Sequence, residues 1–165
     1  MKKIILAALI ISITFNSCLK GSSNSCSFNP CGFIASSAEI QTISDYLSAN
    51  SLTATQHCSG MFYRIENAGN GAAAGPCSNV TVTYKSYFIN GTVFDQSTVP
   101  VPVNLAQTII GWRSGVSMIK AGGRIVMYIP PSLAYGNQNV TDANGNIVIP
   151  ANSYLIFEVD LITVS

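Results

Sequence analysis

Residues 109–136 restrict the possible fold of this chain more than any other stretch. They read Ile-Ile-Gly-Trp-Arg-Ser-Gly-Val-Ser-Met-Ile-Lys-Ala-Gly-Gly-Arg-Ile-Val-Met-Tyr-Ile-Pro-Pro-Ser-Leu-Ala-Tyr-Gly. The single tryptophan, Trp112, falls in a short helical turn bounded by glycines, a β-prone segment follows, and a Pro-Pro turn then presents Tyr135. A large aromatic with few charges around it and a tyrosine hydroxyl nearby imply an apolar pocket with one or two polar handles.

The flanking chain reads as strands. Met61 to Ile65 is a first candidate, and Asn67 to Ser78 has the Gly, Ala and Asn content of a loop. Val80-Thr-Val-Thr-Tyr84 alternates, which puts Val80, Val82 and Tyr84 on one face. Asn90-Gly91 between apolar-rich runs is a strong hairpin signal. Val99 to Val103 alternates Val with Pro and fits only an edge strand or an extended connection. Arg124 to Ile129 and Leu155 to Val164 complete the set, with Leu155, Phe157, Val159 and Leu161 sharing a face. The pattern is antiparallel, interrupted by one short helix at 112–119. A curved sheet needs its inner face covered, and the Trp112 turn is the candidate cover.

Charge excludes several functions. Charged residues make up only 9% of the 165, and the formal net charge is +1. Setting aside Lys2 and Lys3 leaves 6 of the 8 Lys+Arg against 7 Asp+Glu, a net charge of −1. No basic patch for nucleic acid or anionic lipid follows from that balance. A sole histidine, His57, and the absence of Cys-x-x-Cys argue against zinc; beside Cys58, His57 reads as a solvated loop residue. Gly69-Asn-Gly71 is loop composition, because no helix opens after it as a nucleotide fingerprint requires. With no paired carboxylates and no Gly-x-Ser-x-Gly, neither metal nor cofactor is expected.

The first 18 residues open with Met-Lys-Lys, continue through an apolar run from Ile4 to Ile13 and end in Asn-Ser-Cys. A basic start and a short apolar run describe a secretory signal, too short to span a membrane comfortably. Ser17-Cys18 resembles a bacterial lipoprotein cleavage site with Cys18 as the lipidated residue; an ordinary signal with an incidental cysteine is the alternative. Lipid on Cys18 would anchor the chain in the cell envelope, on the periplasmic side of an outer membrane. Cys26, Cys31, Cys58 and Cys77 then remain. An even count in an exported chain implies two disulfides, with three connectivities open. Residues 19–37 form a Ser-, Asn- and Gly-rich tether. Ser36-Ser37-Ala38-Glu39 has capping-box spacing, and Ile40, Ile43, Tyr46 and Leu47 recur at helical spacing, so 38–49 reads as an amphipathic helix. Its stripe faces the domain or a second subunit. The expected layout is a signal (1–18), a tether (19–37), a helix and connection (38–58) and one domain (59–165).

At this point the chain resembles a known family, the FKBP-type peptidyl-prolyl isomerases, from about Ser59 to Val164. The motifs that carry the resemblance are Val-Thr-Val-Thr-Tyr84, Asn-Gly-Thr-Val-Phe94-Asp95-Gln-Ser97, Ile109-Ile-Gly-Trp112, Ile-Pro-Pro-Ser-Leu-Ala-Tyr135-Gly136, Ile149-Pro150 and Leu155-Ile-Phe157-Glu-Val. The helix and cysteine-bearing tether upstream are more loosely similar to exported lipoprotein members from Bacteroidetes-type bacteria. The resemblance implies an α+β fold, a curved antiparallel half-barrel wrapped around a short helix, with the N-terminal helix as an extension. It implies Trp112 as the floor under a proline ring, with Tyr84, Phe94, Ile149 and Phe157 as walls and Val148 at a further wall position. The Ile109 amide and Tyr135 hydroxyl would donate to carbonyls of a bound peptide or macrolide, and Asp95 would be the polar group nearest the turning amide. Where the family places an aromatic before Ile109-Ile-Gly-Trp, this chain offers Val101 or Val103, so one wall lacks a ring. Asn137 to Asn146 is polar where apolar reach toward substrate is usual. On pattern alone, Tyr84 and Phe157 fit plain core as well as pocket wall.

The implied activity is prolyl cis–trans isomerisation on exported or envelope polypeptides, assisting their folding. A binding or chaperone module for Pro-containing segments is one alternative. A structural envelope lipoprotein dimerising through residues 38–49 is the other.

Overall fold

A computed structural model describes residues 26–165, so the signal segment and Cys18 lie outside the described residues. Helix α1 (Ser37–Ala49) precedes strands β1 (Thr55–Gln56), β2 (Phe62–Asn67), β3 (Asn79–Phe88) and β4 (Val93–Asn104). Helix α2 (Ile110–Val116) leads to β5 (Gly123–Ile129). A small hairpin of β6 (Val140–Thr141) and β7 (Ile147–Ile149) comes before β8 (Leu155–Val164). Six strands make one antiparallel sheet in the order β1-β2-β5-β8-β3-β4, and β6 pairs only with β7.

Alternation along β5 and β8 divides the apolar residues between two cores. Ile125, Met127, Ile129, Leu155, Phe157, Val159 and Leu161 face α2, where Trp112 and Val116 meet them. Val126, Tyr128 and Ile156 point the other way and are covered by Ile43 and Leu47 of α1. The helical stripe is thus satisfied by the chain's own sheet. Burying a side chain such as Ile43 contributes about 1.5–3 kcal/mol, so α1 is a packed layer.

The capping box of α1 is present: Ser36 Oγ accepts from the Glu39 amide at 3.3 Å, and the Ser36 amide donates to Glu39 Oε2 at 2.9 Å. Glu39 also accepts from the amide (2.9 Å) and hydroxyl (3.0 Å) of Ser132, inside the Pro-Pro turn. Burial raises the carboxyl pKa, but these hydrogen bonds outweigh it and hold Glu39 below the usual range. The helix start is thereby tied to the turn that presents Tyr135.

Helix α2 begins two residues earlier than the sequence pattern places it and gives way to turns by Ser117. Its glycines set its distance from the sheet. A Cβ on Gly111 would stand 2.6 Å from Ile129 Cδ1 and Cγ2, and one on Gly115 would meet the Met127 sulfur. We predict that Gly111→Ala lowers stability by about 1–3 kcal/mol through overpacking; a thermal melt unchanged from wild type would refute this. Gly91, at φ 87°, closes the β3–β4 turn as its Asn-Gly pair requires. β4 is an edge strand, so Pro100 and Pro102 lie where a missing N–H is tolerated.

The disulfides are Cys26–Cys77 and Cys31–Cys58. The first fastens the tether to the loop before β3. There Arg113 of α2 donates to the Pro76 carbonyl at 2.8 Å and to Cys77 Sγ at 3.0 Å, and its guanidinium lies 4.2 Å from the Phe28 ring centroid. His57 is half-buried rather than solvated: its Nδ1 accepts from the Ser59 amide at 3.1 Å and lies 2.8 Å from Ser59 Oγ. Burial pushes its pKa down. Cys31, His57 and Cys58 bring their ligand atoms within 4.8 Å of one another, but both sulfurs are held in the disulfide. Among the described residues no helix is long and apolar enough to cross a membrane.

Candidate active site

Between the inner face of the sheet and α2 lies a cleft of about 510 Å³. Trp112, 6% exposed, forms its floor because the two α2 glycines let the helix settle onto β5. Tyr84 reaches in from β3, Phe94, Asp95 and Val103 from β4, and Phe157 from β8. Tyr135 enters from the turn after Pro131, and Val148 and Ile149 from β7. Ile109, just before α2, completes this part of the lining. The structure thus brings together all ten residues singled out from the sequence.

The aromatic rings brace one another edge to face. Trp112 stands 5.8 Å from Tyr84 and 5.5 Å from Phe157, at interplanar angles of 83° and 89°. Phe94 meets Phe157 at 6.0 Å and 89°. Such T-shaped pairs contribute about 0.5–1.5 kcal/mol beyond their burial and fix ring orientations, leaving a flat-floored slot.

Polar groups are few and placed. Among the described residues Asp95 is the only charged side chain lining the cleft, and its Oδ2 accepts from the Tyr84 hydroxyl at 2.7 Å. Burial, then this hydrogen bond, pushes the Tyr84 phenol up to about 12. Burial and the charge of Asp95 also raise Tyr135, so both phenols remain donors at neutral pH. The Ile109 amide has no hydrogen-bond partner among the described residues. These groups are aromatic and aliphatic walls with a few hydrogen-bonding groups at their edge. They can grip an apolar ring and hold an adjacent carbonyl.

The raised Tyr84 gives a test. An unfolded tyrosine titrates near 10.0, so its contribution to stability is complete below pH 10 and is lost as pH rises through about 12. Asp95→Asn removes the charge that helps raise the phenol. We predict that ultraviolet titration finds the Tyr84 phenolate at lower pH in that variant; an unmoved step would contradict the contact.

Three lining residues escape the sequence reading: Gln107, Thr108 and Val140. Gln107 and Thr108 adjoin Ile109, and that adjacency was the available signal. Val140 lies in the polar stretch 137–146, which folds as the β6–β7 hairpin and delivers Val140 and Val148 to the cleft. The apolar reach that this stretch is expected to lack is therefore partly present. On β4, Val103 lines the cleft, whereas Val101 packs against the core.

The profile of the FKBP-type peptidyl-prolyl cis-trans isomerase family matches residues 71–162. The chain belongs to that family. It is 46% identical over 109 residues to the FKBP-type peptidyl-prolyl cis-trans isomerase FkpA of Buchnera aphidicola (subsp. Acyrthosiphon pisum), covering 64% of this chain and 43% of that one. To FkpA of Escherichia coli K12 it is 40% identical over 108 residues, covering 64% and 38%. The alignment thus spans about two fifths of these curated relatives' length. The crystal structure of E. coli FkpA superposes with a TM-score of 0.64 at 32% identity, over 78% of this chain and 63% of that one. A peptidyl-prolyl cis-trans isomerase from Pseudomonas syringae superposes at 0.65 with 26% identity, over 81% and 99%.

Proposed function

We propose that this chain is a peptidyl-prolyl cis–trans isomerase acting on X-Pro bonds of exported or envelope polypeptides. The observation that carries the reading is the Trp112-floored slot with the Asp95–Tyr84 pair and Tyr135 at its edge. Amide rotation has a barrier of about 18–20 kcal/mol, because resonance must be broken, and leaves every covalent bond in place. An enzyme needs only to bind the twisted amide more tightly than the planar one. Trp112 seats the prolyl ring, with Tyr84, Phe94, Ile149 and Phe157 around it. The Ile109 amide and Tyr135 hydroxyl hold the flanking carbonyls, and Asp95, clasped by Tyr84, faces the rotating group. A ten-thousandfold acceleration needs about 5.5 kcal/mol of differential binding. Several such contacts, each worth about 0.5–1.5 kcal/mol, make a substantial share of that.

Macrolide immunosuppressants are a second ligand class for the same slot. The chain acts in the cell envelope, anchored by lipid on Cys18, with residues 19–37 as tether and 59–165 as the catalytic domain. Supporting this placement are the signal-like start and the two disulfides, which persist in oxidising compartments.

A second reading, a binding module with little turnover, is favoured by Val103 standing where the family usually has a ring. A protease-coupled assay on a short prolyl peptide, with Asp95→Ala as control, separates the two. Acceleration that falls in the variant supports the isomerase. Binding without acceleration establishes the module.

A further inference from the structure

A second cleft, of about 390 Å³, opens beside the first, between the β3–β4 turn and the loop before β8. Its apolar lining is Phe88, Ile89, Pro150 and Tyr154, with Thr92 and Asn152 among the polar residues at its rim. The two clefts share walls. Phe88 lines the second and packs, tilted by 39°, 4.8 Å from Phe94, which lines the first. Ile149 lines the first, and Pro150, the next residue, lines the second. The Asn152 amide donates to the Gly136 carbonyl at 2.7 Å, so the second cleft is tied to the turn that carries Tyr135. The Ile89 amide donates to the Tyr154 carbonyl at 3.3 Å and joins its two sides.

We propose that this second cleft is a subsite for the same polypeptide, taking a large apolar or aromatic side chain a few residues from the proline seated on Trp112. The Phe88–Phe94 pair stands between the clefts, and an extended chain advances about 3.3 Å per residue, so a few residues of peptide bridge them. The lining fits an apolar side chain, and the polar rim suits the backbone that carries it. This subsite rests on the prolyl-isomerase reading. It would let the protein discriminate among proline sites by a neighbour that the slot itself does not touch.

Thr92 is exposed at the rim, and its backbone, not its side chain, makes the turn hydrogen bonds, so Thr92→Trp fills the cleft without disturbing the slot. The experiment compares kcat/KM for a blocked tetrapeptide with that for decapeptides bearing Phe or Ser two to four residues to either side of the proline. Wild type is expected to favour one Phe decapeptide over its Ser counterpart by about tenfold, the worth of one partly buried aromatic. Thr92→Trp is expected to abolish that preference while leaving the tetrapeptide rate within about twofold, and Ile89→Ser to reduce it. Tetrapeptide turnover with no preference at any position, or a preference that survives Thr92→Trp, overturns the subsite and leaves the isomerase standing. No tetrapeptide turnover by wild type overturns the isomerase reading first.

Discussion

Trp112→Leu is expected to reduce kcat/KM for a prolyl peptide at least about a hundredfold while leaving the protein folded. That loss is about 2.7 kcal/mol of transition-state stabilisation. Leucine keeps the site apolar but cannot present a flat plate to a prolyl ring, nor brace Tyr84 and Phe157 edge to face. Tyr84 then loses one of the contacts that aim its hydroxyl at Asp95. Truncating a large buried aromatic to alanine costs about 3–5 kcal/mol, and leucine recovers part of the volume, so the fold weakens without collapsing. The check is the coupled peptide assay beside a thermal melt. A melt lowered as expected with activity reduced less than threefold would make Trp112 core rather than floor.

Reduction of the two disulfides has the largest expected effect on stability. They close loops with sequence separations of 51 and 27 residues. On the chain-entropy account, each closure contributes about 3–4 kcal/mol. The smaller loop is nested in the larger, so their joint effect falls below the sum. In a domain of this size, 1 kcal/mol moves Tm by about 2–5 °C, so reduction should lower Tm by about 10 °C or more. Reduction also releases Cys77, whose sulfur accepts from Arg113, from Cys26, which should loosen the helix that carries Trp112. Circular-dichroism melts with and without a phosphine reductant measure this, and coincident curves would contradict it.

Much of the architecture was legible because strand alternation and turn chemistry are local. Val80-Thr-Val-Thr-Tyr84, Asn90-Gly91 and the β8 run each carry their own signal, and each occurs in the structure where it was read. What depends on distant partners was not legible. The cysteine pairing turns on where the tether runs, and the bond from Ser132 to Glu39 joins residues 93 apart. The choice between Val101 and Val103 was hidden by a register shift: Val82 pairs with Val101 but Tyr84 with Ser97, so counting along β4 from Phe94 loses phase. Helix α2 starts ahead of the sequence pattern because β-branched Ile110 is a weak helix former, and the packing of Trp112 and Val116 overrides that preference. Val140 lay hidden in a polar stretch whose hairpin fold only the partner β7 reveals.

The slot, its tyrosines and Asp95 stand or fall together as machinery for turning a prolyl amide. The most direct measurement is NMR exchange spectroscopy on a short X-Pro peptide at equilibrium, with the protein at catalytic concentration. Unaided, the two isomers interconvert over tens to hundreds of seconds and show no exchange cross-peaks. The account predicts cis–trans cross-peaks that appear with wild-type protein and vanish with Trp112→Leu. A peptide that quenches Trp112 fluorescence, and so occupies the slot, yet shows no exchange would contradict it.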